Sequence, residues 1–157
     1  MTLAHAHDIV TWRYDVPYDT YDMTDANPEF LVDPANGFFA LTDETGLIGF
    51  RSFGVDGQVP GGVYDSSALD TGGGLRPSLT GRGLGRRAIS TGLDFGRQRF
   101  HPPAFRVTVA AFNLRAHRVV ESLGFRITES FQALTGGRRY NILVRPEPPA
   151  SPGGAAC

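Results

Sequence analysis

Two stretches in the second half of the chain place apolar residues at the spacing of an amphipathic helix. The first spans residues 83–99 and stops before the proline pair at 102–103. The second begins at Asn113, whose side chain suits a helix N-cap, and ends at Gly124. Its apolar positions follow the i, i+3, i+4, i+7 spacing: Ala116, Val119, Val120 and Leu123. We therefore expect two helices in this half of the chain.

Short apolar or alternating runs bounded by turn residues predict the strands. Three successive glycines at 72–74 weaken one of them, and such glycines mark a bulge or a place where a ligand or another backbone comes close. In chain order the expected strands are residues 9–14, a hairpin over 37–53, residues 63–75, residues 105–111, and a hairpin over 125–144 that turns at Gly136 and Gly137.

The order of these elements predicts the fold class. Helices both precede and follow strands in the second half, which favours an α/β or α+β fold with a mixed sheet. The chain has 157 residues, the usual size of one domain, and we expect that domain to span residues 1–145. Residues 17–36 are acidic and only weakly helical, residues 55–62 predict a loop, and the Pro, Gly and Ala composition of residues 146–157 predicts a flexible tail.

Composition narrows the class of protein. Apolar residues make up 41% of the chain and charged residues 20%, as in soluble globular proteins. No run approaches the roughly 18 apolar residues of a membrane span, and residues 1–8 do not resemble an export signal, so we expect a cytoplasmic protein without a membrane partner. Cys157 is the only cysteine, which excludes an internal disulfide, and His5 and His7 lack a third ligand, so no metal site is expected.

Charge is unevenly divided along the chain, although the net charge is only −1. Residues 1–75 hold 12 acidic residues and two Arg, whereas residues 76–157 hold 13 Arg and four acidic residues. This division would be explained if the second half of the chain binds an anionic ligand and the first half contacts a cationic one. The Arg residues form no basic tract, so a nucleic-acid partner is not expected.

A glycine-rich turn between an expected strand and an expected helix is the strongest chemical motif. Alternating glycines let main-chain N–H groups converge on one point, where the positive end of the helix dipole also lies. Such a turn suits a pyrophosphate, although glycine turns also occur for geometric reasons alone. No lysine follows the last glycine, so the turn is not a P-loop. Its residues are Thr80, Gly81, Arg82, Gly83, Leu84 and Gly85.

This turn resembles the acetyl-CoA pyrophosphate loop of the GNAT superfamily of N-acetyltransferases, (Arg or Gln)-x-x-Gly-x-(Gly or Ala). Residues 109–125 are similar to that family's strand, Asn-x-x-Ala and Gly-Phe block, in the right order and at the expected distance. The resemblance covers about residues 37–145. It implies a GNAT-like mixed sheet of about six to seven strands, flanked by helices and splayed between the strands at 63–75 and 105–112.

The resemblance also implies a binding site for acetyl-CoA as co-substrate, with the pantetheine arm in the splay. Arg82, Arg86 and Arg87 are candidates for phosphate contacts, and each of them is otherwise an ordinary solvated side chain. Asn113 either contacts the cofactor or only caps its helix. The implied cofactor-binding residues are Leu75, Thr80, Gly81, Arg82, Gly83, Leu84, Gly85, Arg86 and Asn113.

The implied reaction is direct transfer of an acetyl group from the thioester to a primary amine of a small molecule or a peptide N-terminus. Asp70 is our first candidate for the base, or it only binds the ammonium group. Val120 stands where many members carry a Tyr proposed as the acid, which leaves water or Tyr140 for proton donation to the thiolate. The other function is a non-catalytic acyl-CoA-binding module. The sequence also leaves a homodimer open.

Overall fold

The computed structural model describes residues 1–149, which form four α-helices and six β-strands. None of these helices is long and apolar enough to cross a membrane. Residues 150–157, most of the expected tail, lie outside the described part of the chain. In chain order the elements are α1 (Leu3–Ile9), α2 (Pro28–Val32), β1 (Phe38–Asp43), β2 (Gly46–Phe53), β3 (Leu69–Leu75), α3 (Gly85–Phe100), β4 (Ala104–Ala110), α4 (Leu114–Ser122), β5 (Arg126–Gln132) and β6 (Arg139–Pro146).

The strands form one mixed sheet in the order β1-β2-β3-β4-β6-β5. All neighbours are antiparallel except β3 and β4, which run parallel. The two predicted hairpins are present as β1–β2 and β5–β6. The predicted mixed α/β sheet and its strand number are therefore confirmed.

Two apolar clusters cover the two faces of the sheet. The larger one joins α3, α4 and the central strands, and Phe105 and Phe125 in it have no solvent exposure. The smaller one joins the N-terminal segment to β1 and β2 and includes Trp12 and Leu31. Burying each large side chain contributes roughly 1.5 to 3 kcal/mol, so both layers stabilise the sheet that positions the site.

The strand predicted at residues 9–14 is wrong, because the chain enters through a helix instead. The Thr2 hydroxyl accepts a hydrogen bond from the His5 N–H and caps α1. Ala6 and Ile9 then face the smaller cluster with Trp12. Of residues 9–14, only Ile9 belongs to this helix, and the others form the turn and the irregular segment that follow it.

The strand predicted over residues 63–75 begins only at Leu69. The Asp65 carboxylate accepts hydrogen bonds from the main-chain N–H and the hydroxyl of Ser67, and this turn replaces strand pairing. At the other end, Pro146 closes β6 and the buried Glu147 accepts hydrogen bonds from Arg97 and Arg145. These hydrogen bonds hold Glu147 against α3 and β6.

Candidate functional site

The central feature of the sheet is the gap between β3 and β4. These strands pair only at Leu69 with Phe105 and at Asp70 with Arg106, and β3 then continues to pair with β2 alone. The Arg76 N–H donates to the Ile48 oxygen on β2 at 2.8 Å. Because main-chain groups alternate in direction along a strand, those of Leu75 face the gap. The predicted splay of the sheet is therefore present, with a strand edge exposed along it.

A cleft of about 860 Å³ occupies this gap and extends over the glycine turn. It is lined by the end of β3, the turn, the first turns of α3 and α4, and side chains of the N-terminal segment. Seven of the nine predicted cofactor-binding residues line it, and only Arg82 and Leu84 do not. The seven are Leu75, Thr80, Gly81, Gly83, Gly85, Arg86 and Asn113.

The glycine turn leaves the start of α3 open to a ligand. Gly81 and Gly83 have φ values of 72° and 77°, in the left-handed region that favours glycine. A Cβ on Gly83 would meet no atom within 4 Å. No side chain of the described residues caps α3, a helix of 16 residues, so its first N–H groups need another partner. An anion seated on the turn would provide it.

Thr80 and Arg86 support this turn through contacts within the protein. The Thr80 hydroxyl donates to the Pro77 oxygen at 2.8 Å and so points back at its own backbone. Arg86 donates from Nη1 to the hydroxyl of Ser122 at 3.0 Å, which ties the first turn of α3 to the end of α4. These two contacts hold the turn at its first residue and at the start of α3.

Asn113 links the turn region to a tyrosine of the N-terminal segment. Its Oδ1 accepts a hydrogen bond from the Ala116 N–H at 3.1 Å, which confirms the predicted N-cap of α4. Its Nδ2 donates to the Tyr21 hydroxyl oxygen at 3.1 Å. One side chain therefore both begins the helix and holds a phenol over the cleft.

Two tyrosines of the N-terminal segment lie on opposite sides of the gap. The Tyr14 hydroxyl donates to the Leu75 main-chain oxygen at 2.7 Å, and burial, with Asp22 nearby, raises the pKa of Tyr14 to about 12. The Tyr21 hydroxyl lies at the β4 side, and burial raises its pKa as well, against the opposing effect of the Asn113 hydrogen bond. Both phenols therefore stay protonated at neutral pH.

The two predicted catalytic residues lie outside the lining of the cleft. Asp70 is 4% exposed, and its two oxygens accept hydrogen bonds from Arg106 at 2.6 and 2.9 Å and from Gln58 at 2.8 Å. Tyr140 stacks on Phe131 at the start of β6. The Asp70 carboxylate is thus engaged in a buried ion pair, a placement that does not suit a base.

Val120, at the position where the sequence resemblance implies a tyrosine in many family members, is 2% exposed and packs in the larger core cluster. Helix α4 therefore presents no proton donor at that position. The sequence gives no local signal for Tyr14 and Tyr21, because their hydrogen-bond partners lie 61 and 92 residues away.

Arg51 on β2 was missed altogether. The available signal was a single charged residue within the apolar run of β2. Its side chain is 6% exposed and lines the cleft, yet it forms no ion pair among residues 1–149.

Solved structures with the same fold include N-acetyltransferases. A spermidine N-acetyltransferase chimera from Vibrio cholerae and hSSAT is 18% identical with a TM-score of 0.69, covering 92% of this chain and 91% of that chain. A putative phosphinothricin N-acetyltransferase is 15% identical with a TM-score of 0.70, covering 94% and 96%. The ribosomal-protein-S5-alanine acetyltransferase from Vibrio fischeri is 13% identical with a TM-score of 0.61, covering 93% and 90%. At these identities the likeness shows the fold alone.

No curated protein sequence matches the chain. The sequence profile of the acetyltransferase (GNAT) family matches residues 3–125. The match includes the glycine turn, the exposed edge of β3 and the Asn113 cap. It also includes the N-terminal segment before residue 37, which lay outside the resemblance seen in the sequence. The chain therefore belongs to the acetyltransferase (GNAT) family and is an acyltransferase.

Proposed function

We propose that the protein transfers an acetyl group from acetyl-CoA to a primary amine of a small molecule or a peptide N-terminus by direct transfer. The observation that carries this proposal is the continuity of one cleft from the uncapped start of α3 to the splayed edge of β3. A pyrophosphate fits the glycine turn, where it would meet unpaired N–H groups and the positive end of the helix dipole.

The pantetheine part of the donor fits the edge of β3. Amide groups on an extended chain pair with an exposed strand edge in the way an added strand does. The main-chain N–H of Leu75 faces the gap, while its oxygen already accepts a hydrogen bond from Tyr14. Leu75 therefore supports an N–H contact without requiring any particular side chain.

The transfer forms an N–C bond, breaks the C–S bond, removes a proton from the amine and gives one to the departing sulfur. Tyr21 suits the last of these roles. The Tyr21 oxygen accepts a hydrogen bond from Nδ2 of Asn113, a group that can only donate. The phenol proton of Tyr21 is therefore free for another acceptor. The Tyr14 proton, by contrast, is used by the Leu75 oxygen. We therefore assign proton donation to Tyr21 rather than to Tyr140.

Release of free thiol from acetyl-CoA, measured against a panel of primary amines, tests the proposed function. We expect amine-dependent release with at least one diamine, amino acid or peptide N-terminus. The acidic first half of the chain, with Asp15 on the cleft, favours cationic acceptors. Tight acetyl-CoA binding without thiol release from any amine would instead indicate an acyl-CoA-binding module.

Replacing Tyr21 with phenylalanine is expected to lower kcat by roughly a hundredfold, the low end of the usual contribution of a positioned acid, because water can partly replace it. The affinity for acetyl-CoA should change little, since the ring remains. A phenol donates only while protonated, and the raised pKa of Tyr21 keeps it protonated up to alkaline pH. The wild-type rate should therefore fall on the alkaline side, and the variant should lose that limb of the pH profile.

Tyr140→Phe serves as the matched comparison, because it removes the same hydroxyl from the neighbouring tyrosine that lies outside the cleft lining. We expect near wild-type kcat for this variant. A large loss in Tyr140→Phe together with an active Tyr21→Phe enzyme would reverse the assignment.

A further inference from the structure

Arg51 is a buried cation that has no carboxylate partner among residues 1–149. Its Nη2 donates to the Thr71 hydroxyl oxygen at 2.9 Å, and Thr71 donates its own proton to the Ser52 oxygen. The Arg51 Nε is sealed from solvent without a hydrogen-bond partner among residues 1–149. Burial lowers the pKa of Arg51 to about 10, which still leaves it charged at neutral pH.

Two glycines provide the space through which this side chain reaches the cleft. A Cβ on Gly92 of α3 would lie 2.6 Å from the Arg51 Cγ, and one on Gly73 of β3 would lie 3.0 Å from its Cδ and Nη1. A side chain at Gly92 would collide with Arg51, and one at Gly73 would press closely against it. The Arg51 side chain therefore passes between helix and strand, and Arg51 is one of the residues that line the cleft. Its Nη1 makes no hydrogen bond among the described residues.

The position of Arg51 separates it from the expected pyrophosphate. Gly92 lies seven residues after Gly85, and at 1.5 Å per residue this places the Arg51 contact roughly 10 Å along α3 from the glycine turn. On the sheet, Arg51 is directly opposite Gly73, two residues before the Leu75 edge. Arg51 thus lies at the end of the cleft away from the glycine turn, which we call its deep end and where the proposed transfer would take place.

A buried charge without a partner is costly, and such groups are normally paired. The missing partner here has a defined chemistry, because a guanidinium matches a carboxylate in charge and geometry. Since no carboxylate of residues 1–149 pairs with Arg51, a carboxylate brought by a substrate would compensate the charge.

We propose that Arg51 binds a substrate carboxylate at the deep end of the cleft. That carboxylate belongs either to the acyl group of the donor, as in a succinyl thioester, or to an acceptor amine such as an amino acid. The inference rests on the proposed acyl transfer and refines its substrate class. It requires no additional reactant, because the same N–C bond forms and the same C–S bond breaks.

The donor arm of the test compares succinyl-CoA with butyryl-CoA, which have acyl chains of four carbons and differ in the terminal carboxylate. Dissociation constants are measured by calorimetry on the full chain. We expect the dissociation constant of the wild type to be roughly tenfold or more lower for succinyl-CoA than for butyryl-CoA, because one charge-assisted hydrogen bond contributes a factor of about that size. Arg51→Met, which keeps an unbranched side chain but removes the charge, should abolish this preference, and Arg51→Lys should retain part of it.

The acceptor arm compares valine with isobutylamine, which differ by the α-carboxylate, with acetyl-CoA as donor. If the acceptor supplies the carboxylate, the wild type should show a KM roughly tenfold or more lower for valine, and Arg51→Met should remove the difference. A preference in either arm that depends on Arg51 supports the inference and identifies the source.

A wild-type enzyme that binds and uses acetyl-CoA, but does not distinguish succinyl-CoA from butyryl-CoA or valine from isobutylamine, would overturn this inference and leave the proposed function intact. A wild type that binds no acyl-CoA would overturn both. An equal loss of affinity for succinyl-CoA and butyryl-CoA in Arg51→Met would also contradict it, because that result indicates a packing role. The wild-type ratios decide the question even if Arg51→Met fails to fold, which thermal denaturation reports.

Discussion

Replacing Gly83 with aspartate is expected to weaken acetyl-CoA binding by roughly a hundredfold or more. The new side chain would project into the open space above the glycine turn, where a Cβ meets no protein atom within 4 Å. A carboxylate there would face the pyrophosphate at about 4 Å, where two like charges repel by roughly 4 kcal/mol at an effective dielectric of 20. Calorimetric titration of the purified variant with acetyl-CoA measures the effect.

Two variants separate this repulsion from backbone strain. Gly83→Asn introduces a side chain of the same shape without the charge and should lose much less affinity. Gly136→Asp introduces the same residue at a φ of 73°, close to the 77° of Gly83, in the β5–β6 hairpin, where a Cβ also meets nothing within 4 Å. It should bind acetyl-CoA like the wild type. Unchanged affinity in Gly83→Asp would show that the pyrophosphate does not bind on this turn.

Local sequence patterns predicted the parts of the fold that neighbouring residues determine. The hairpin of β1 and β2, the helix after the glycine turn and the Asn113 cap each depend on contacts within a few residues. The segment at residues 9–14 was mispredicted for the opposite reason. Its apolar residues pack on β1 and β2, and the Thr2 cap that starts α1 precedes the pattern used to predict a strand.

The predicted cofactor residues came together because they follow one another along the chain, apart from Asn113. The groups that could not be predicted depend on distant pairings. Tyr21 meets Asn113 across 92 residues, and Arg51 reaches the cleft only because Gly73 and Gly92 lack side chains on two other elements. Nothing local to Arg51 indicates that its charge is buried without a carboxylate partner among residues 1–149.

Asp70 is another residue whose role depends on a partner on a different strand. Its position on the central strand beside the splay suggested a base, but the next strand supplies Arg106 directly opposite. Hydrogen bonds to Asp70 raise the pKa of Arg106, and both side chains are 5% exposed. Asp70 and Arg106 also form one of the two residue pairs that join β3 to β4. We therefore infer that the pair closes the sheet where the splay begins.

Replacing Asp70 with alanine is expected to lower the free energy of unfolding by about 3 kcal/mol, because it leaves the Arg106 guanidinium buried with one carboxylate fewer. The value falls at the low end of the usual range, since the exposed Asp65 still contacts Arg106 at 3.1 Å. Urea denaturation followed by circular dichroism measures the change. A loss below about 1 kcal/mol would contradict a structural role for the pair.

Replacing both partners distinguishes this structural role from the catalytic one. In the double variant Asp70→Leu, Arg106→Met, apolar side chains fill the site and no charge is left unpaired, so most of the stability should return. If Asp70 only joins β3 to β4, the double variant should also recover most of the acetyl-transfer rate per folded molecule. If Asp70 is the base, stability would return without activity, because the carboxylate needed for proton removal would still be missing. Stability and turnover measured on the same sample therefore decide which role Asp70 has.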